Sequence, residues 1–213
     1  MQTFFFDLDN TLYPHSAGVT EALEEKMNAY VAQITQLSIP AATTLRQGYF
    51  QQYGTTLRGL QIHHNVDSEL YLAAVHDIPI EELVIPNGTL CTLLHSWLGQ
   101  SAVFTNSPRE HAVRVLSRLG FAEHALRIID IRAVDFIPKP HLQAYQRALD
   151  TMNATAKNAV LFEDTLVNLK TAKEIGMRTV YMQAADKQVH VPNYVDAVYN
   201  DIVSAIQVES KEK

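Results

Sequence analysis

The segment FFFDLDNTLYP at residues 4–14 sets Asp7 and Asp9 one residue apart, with Thr11 two residues on, where an apolar run stops. Side chains alternate across a strand, so aspartates at i and i+2 share one side as the chain leaves a sheet. That spacing suits a cation clamped between them, and it lets one carboxylate attack while its neighbour handles protons. The plainer role is a solvated strand end that caps the next helix, because Asp, Asn and Thr are common cap and turn residues.

Three more segments set polar residues at or just beyond the end of an apolar run. AVFTNSP ends at Thr105 and Asn106, DFIPKPH offers Lys139, and AVLFEDTLVN ends at Glu163 and Asp164. Taken singly, Thr105, Asn106 and Ser107 ahead of Pro108 read as helix caps, Lys139 as a solvated loop lysine, and Glu163-Asp164 as another cap. Taken together they supply the parts of a phosphoryl-transfer site. Two carboxylates ~4 Å apart repel by about 4 kcal/mol at an effective dielectric near 20, so Asp7, Asp9, Glu163 and Asp164 at one point call for a divalent cation. An all-oxygen ligand set favours Mg²⁺. Such a metal lets a phosphate dianion approach an anionic nucleophile, while Lys139, the Thr105 hydroxyl and nearby backbone N–H groups hold the remaining oxygens.

The elements that must position these residues follow from periodicity. After Asn87, a candidate N-cap, short apolar strands alternate with helices, the signature of parallel βαβ units. Strands are expected at 102–105, 126–131, 159–163, 179–182 and 197–199, with helices near 108–119, 140–151 and 166–175. Residues 4–6 match this later set in composition. Between them, Val19, Leu23, Met27, Tyr30, Val31, Ile34 and Leu37 recur at steps of three and four, and helical patterns run on to about Pro86, broken at Ile39-Pro40 and Ile78-Pro79. The fold class is therefore α/β: a Rossmann-like parallel sheet flanked by helices, with a helical insertion after the first strand. In such a sheet ligands bind beyond the carboxyl ends of the strands, where the polar residues fall.

Lys and Arg number 17 against 23 Asp and Glu, a net charge of -6 with no basic run. This argues against a general nucleic-acid or membrane partner, which needs a basic patch, while one metal and one lysine suffice for a small phosphate. The single cysteine, Cys91, can form no intramolecular disulfide and reads as core packing on a helix. No secretory leader and no apolar run of ~20 residues is visible, so a soluble, cytoplasmic protein is expected.

The four segments, in order, resemble the motifs of the haloacid dehalogenase superfamily: Asp7-Leu8-Asp9-Asn10-Thr11, Thr105-Asn106, Lys139-Pro140, and Glu163-Asp164 with Asn168. The resemblance implies Asp7 as the nucleophile that becomes an aspartyl-phosphate and Asp9 as the acid/base. It implies Mg²⁺ held by Asp7, the Asp9 backbone carbonyl and Asp164, with Glu163 binding directly or through water. Thr105 and Lys139 would hold the transferring group, with Asn106 helping, and Asn168 would hold Lys139 or cap a helix. Dehalogenases of the family lack an acid/base at the second aspartate, so Asp9 points to phosphate esters. The glutamate at 163, where many relatives carry aspartate, reaches one methylene further.

The helical insertion resembles the family's small alpha-helical cap, which implies a core of residues 1–14 and 86–213 and a cap of residues 15–85. GYFQQYGTTLRGLQIHHNVD and the TNSPREHAVRVLSRLG helix are similar to the pyrimidine 5'-nucleotidase branch. A nucleoside monophosphate is then the expected substrate, with Arg58, His63, His64 and Asn65 as candidate contacts to base or sugar. Adjacent histidines on a helix point about 100 degrees apart, so a metal clasped by His63 and His64 is disfavoured. The competing readings are a phosphatase for a sugar phosphate or phosphoglycolate, a phosphomutase, and a signalling receiver domain. The receiver is disfavoured because it carries its phosphorylated aspartate on an interior strand and lacks an insertion of about 70 residues.

Overall fold

The computed structural model describes residues 2–97, 100–122, 125–185 and 190–209. Its centre is a six-stranded parallel sheet: β1 (Thr3–Phe6), β2 (Ser101–Phe104), β3 (Arg127–Ile129), β4 (Ala159–Glu163), β5 (Arg178–Met182) and β6 (Ala197–Tyr199), in the order β3-β2-β1-β4-β5-β6. Parallel neighbours cannot be joined by a tight hairpin, so each is reached by a crossover, and helices cover both faces. That burial explains the unbroken apolar run of β1. Phe4 and Phe6 enter the core on one face, Phe4 stacked on Trp97 at 4.1 Å and Phe6 on Phe162 at 4.6 Å, while Phe5 enters the core on the other.

Between β1 and residue 85 the described chain is helical: one 3-10 turn, then α1 (Val19–Thr35), α2 (Ile39–Tyr53), α3 (Thr56–His64), α4 (Ser68–Val75) and α5 (Ile80–Leu83). The Ile39-Pro40 step is the start of α2. Proline in the first turn gives up only an N–H that would have no helical partner. Gly59 on α3 brings that helix close to α2, since a Cβ there would lie 2.2 Å from Cγ of Tyr49.

The later helices are α6 (Gly88–His95), α7 (Arg109–Leu119), α8 (Leu142–Thr151), α9 (Leu166–Glu174) and α10 (Ile202–Glu209). Asn87 caps α6, its side chain accepting from the Leu90 N–H at 3.0 Å. Cys91 is half-buried on that helix, its thiol donating to the Leu119 carbonyl. β3 is shorter than its apolar run because Asp130 turns the chain, its carboxylate accepting from the Arg109 and Ala133 N–H groups. Arg132, just beyond, ties Glu69 of α4 to Glu110 of α7. Among the described residues no helix is long and apolar enough to cross a membrane.

Candidate active site

The strand order places β1 between β2 and β4, so the carboxyl ends of three adjacent strands meet. Asp7 follows β1, Thr105 to Ser107 follow β2, Glu163 closes β4 with Asp164 next, and Lys139 comes from the loop ahead of α8. The Asp7 N–H donates to the Phe162 carbonyl at 2.9 Å, so the sheet ladder itself fixes that residue.

Lys139 is 1% exposed. Its ammonium donates to Asp7 Oδ1 at 2.8 Å, to Glu163 Oε2 at 2.7 Å and to the Phe104 carbonyl at 2.8 Å, which uses all three of its donors. Burial pulls the ammonium pKa down, yet the Asp7 and Glu163 charges outweigh it and hold the group above its usual range. Asn106, expected against substrate, lines the cleft and also clamps the lysine's backbone. Its amide donates to the Lys139 carbonyl at 3.1 Å and accepts from the Lys139 N–H at 2.8 Å. Asn168 does not hold Lys139: it is buried on α9, and its backbone carbonyl accepts from Tyr145. Thr105 is buried, and its hydroxyl accepts from the Ser107 N–H at 3.0 Å.

Asp7, Glu163 and Asp164 offer carboxylate oxygens that all lie within 4.8 Å of one another. One lysine does not balance them. Burial pushes the Asp7 carboxyl up to about 7, with the Glu163 charge adding to it and Lys139 opposing. Burial likewise raises Glu163 to about 7, against the pull of Lys139 and with the push of Asp164. Asp164 rises to about 6 through burial and the Asp7 charge, although Asn10 donates to it at 3.1 Å. Three oxygen donors, two buried and one half-buried, with surplus negative charge fit a hard divalent cation.

Asp9 stands apart from this cluster. The spacing argument set the Asp7 and Asp9 carboxylates together, but β1 ends at Phe6 and the chain turns at once, with the Thr11 and Leu12 N–H groups donating to the Leu8 carbonyl and Asn10 at φ 62. Strand alternation therefore stops short of Asp9. Its Oδ1 accepts from Tyr13 at 2.5 Å and pairs with His111 Nε2 at 2.8 Å, and its Oδ2 accepts from Ser107 at 2.8 Å. Burial raises the carboxyl pKa, but the His111 contact and the three hydrogen bonds outweigh it and hold the group well below the usual carboxylate range.

Tyr13, Ser107 and His111 were not singled out for Asp9 on sequence. The available signal was His111, a polar residue on the buried stripe of α7 that continues through Ala112, Val115, Leu116 and Leu119.

Asp7, Asp9, Thr105, Ser107, Lys139, Glu163 and Asp164 open on one cleft of about 1010 Å³, whose far wall is built by Met27, Arg46, Gln47, Phe50, Gln51 and Tyr53 of α1 and α2. Arg58, His63, His64 and Asn65 do not line it. The inward stripe of α3 is Leu57, Gly59 and Leu60, which turns those polar residues to the exposed side. There His63 pairs with the Tyr53 hydroxyl and His64 with that of Tyr49, each at 2.8 Å.

Residues 1–176 match the haloacid dehalogenase-like hydrolases. The chain belongs to that family. Among curated proteins it is 29% identical over 212 residues to Phosphate metabolism protein 8 of Saccharomyces cerevisiae, covering 91% of this chain and 65% of the yeast protein, so it spans about two thirds of that relative. Among solved structures, an L-2-haloacid dehalogenase matches 98% of this chain and 99% of its own at 15% identity, with a TM-score of 0.63. A phosphatase of the family from Thermococcus onnurineus matches 98% of each chain at 17% identity, with a TM-score of 0.61. These neighbours show the shared hydrolase fold, and they span both dehalogenase and phosphatase chemistry.

Proposed function

We propose that this family member is a Mg²⁺-dependent phosphomonoesterase whose nucleophile is Asp7. The observation that carries the reading is Asp7 itself, fixed by the sheet ladder, bonded to the buried Lys139 and grouped with Glu163 and Asp164, with Asp9 opening on the same cleft. A carboxylate oxygen of Asp7 attacks phosphorus as the ester oxygen leaves, giving an aspartyl-phosphate, and Asp9, which must first take a proton from solvent or from a phosphate monoanion, gives that proton to the leaving oxygen. Asp9 then takes a proton from water, which attacks phosphorus, frees phosphate and restores the Asp7 carboxylate. The anionic Asp9 described above fits the second half of this cycle. Lys139 orients Asp7 through Oδ1, and the buried Thr105 hydroxyl lies at the cleft for a phosphoryl oxygen. Asp7, Glu163, Asp164 and the Asp9 carbonyl would hold Mg²⁺, which when bound offsets the charge between nucleophile and phosphate.

We further read residues 15–85 as a cap over a core of residues 1–14 and 86–213, and a nucleoside monophosphate, a pyrimidine one, as the substrate. Support comes from the cleft wall: the aromatic rings of Phe50 and Tyr53 beside the amides of Gln47 and Gln51 suit a planar, hydrogen-bonding base, and the cleft is far larger than phosphate alone. The Asp9 position favours phosphate esters over haloacids, and the yeast relative's name is consistent with phosphate chemistry.

The test is phosphate release from UMP, CMP, dUMP, AMP, GMP, a sugar phosphate and phosphoglycolate, with and without Mg²⁺. Selective Mg²⁺-dependent release from UMP or CMP is expected, and none from the Asp7→Asn variant. Release from another ester alone would remove the nucleotide reading and keep the chemistry. Wild-type turnover in Asp7→Asn would remove the assigned nucleophile, and no release from any ester would favour a mutase.

A further inference from the structure

His111 is 1% exposed, on the face of α7 that packs into the core. Its Nε2 lies 2.8 Å from Asp9 Oδ1, and its Nδ1 is buried without a hydrogen-bond partner. A carboxylate anion only accepts, so Nε2 carries the hydrogen.

The other side of the ring meets the chain segment that returns from the helical insertion. His76 packs edge-on against His111, with centroids 4.9 Å apart and planes at 61°, and its Nδ1 pairs with the Leu72 carbonyl at 2.9 Å. Arg114, one turn along α7, donates to the His76 carbonyl at 3.3 Å and the Ile78 carbonyl at 2.8 Å. The imidazole is thus wedged between Asp9 and a segment bound to its own helix.

We propose that His111 is the positioning residue for Asp9, fixing Oδ1 through Nε2–H while Ser107 fixes Oδ2. An aspartate has two rotatable bonds, and a donor at each oxygen is what holds the plane of its carboxylate. Tyr13 also donates to Oδ1, but it comes from Asp9's own turn four residues on, so without His111 only Ser107 ties the carboxylate to chain beyond that turn. The inference rests on the acid/base role proposed above for Asp9, and it adds a residue that never touches substrate.

Its consequence is a dependence on the leaving group. An alkoxide needs a proton delivered as it departs, and p-nitrophenolate does not. In His111→Leu, kcat on the best alkyl phosphate of the panel is expected to fall roughly 10- to 100-fold with KM unchanged, against less than about threefold on p-nitrophenyl phosphate. His111→Gln, which keeps an N–H near the Nε2 position, is expected to recover most of the loss. Equal losses on both esters, or no recovery by glutamine, would overturn the proposal even with Asp7→Asn inactive. A second measurement is independent of turnover. In ¹⁵N-edited NMR of the full chain, a His111 Nε2–H proton is expected, with its signal displaced in Asp9→Ala. A ring with no hydrogen on Nε2, or a signal indifferent to Asp9, would sink the idea. If no ester is hydrolysed by the wild type, the phosphatase reading fails and the NMR pair alone decides whether His111 holds Asp9.

Discussion

Lys139 is the residue on which the charge balance of the site turns. It is the cation bonded to two buried carboxylates, and removing it in Lys139→Met leaves Asp7 and Glu163 facing each other beside Asp164. Breaking a buried ion pair by deleting one partner costs roughly 3–5 kcal/mol, and a loss of that order is expected near pH 8 by thermal denaturation. At pH 5, below the values of about 7 for Asp7 and Glu163, the carboxyls bind protons and the loss should shrink. Equal loss at both pH values would argue against charge as the cause. Asp7, Glu163 and Asp164 were legible in the sequence because each stands at or just beyond the end of an apolar run, and Lys139 because it completes the set from the loop between Pro138 and Pro140. Tyr13 and His111 were not, because their meaning depends on the turn after β1, which swings the Asp9 carboxylate onto α7. Asn106 carries the same lesson: its type suggested a ligand contact, and only the path of the Lys139 loop shows its amide occupied by backbone.

At the scale of elements, the approach of α2 and α3 decides which residues face the cleft. A methyl group at Gly59 would meet Tyr49 at 2.2 Å from Cγ and 2.5 Å from Cβ, atoms too near the backbone to swing aside. Gly59→Ala is therefore expected to destabilise by about 1–3 kcal/mol through overpacking. It should also raise KM more than it lowers kcat, since α2 carries Gln47, Phe50 and Gln51 on the cleft wall. A variant with unchanged melting temperature and KM would contradict this packing. The strands were readable because parallel strands buried on both faces appear as continuous apolar runs, and their order follows from crossovers that sequence leaves open. The facing of α3 was not readable. Periodicity finds the stripe of Leu57 and Leu60 but does not say that it packs on α2, so Arg58, His63 and Asn65 looked equally able to reach a ligand.

For the whole molecule, the three converging carboxyls set a pH dependence. Their folded values of about 7, 7 and 6 lie above the ordinary carboxylate range near 4, so between about pH 4 and 7 the folded state binds more protons than the unfolded one. Stability of the chelator-treated protein should therefore fall as pH rises through that window, while Asp9, held low, titrates below it. Mg²⁺ should raise the melting temperature most at pH 7 and above, and progressively less toward pH 5 as protons compete for the same oxygens. A Mg²⁺ shift that is absent, or constant from pH 5 to 8, would count against a metal at this cluster. The central position of β1 has a different consequence, one of timing. The strand that leads into Asp7 leaves the ribosome before either neighbour, and its partners are residues 101–103 on one side and 159–162 on the other. At roughly 5–20 residues per second, three consecutive phenylalanines wait on the order of ten seconds for both edges to be covered. During biosynthesis this apolar strand thus stays unpaired until both partners emerge, which makes it a natural point for a chaperone to hold.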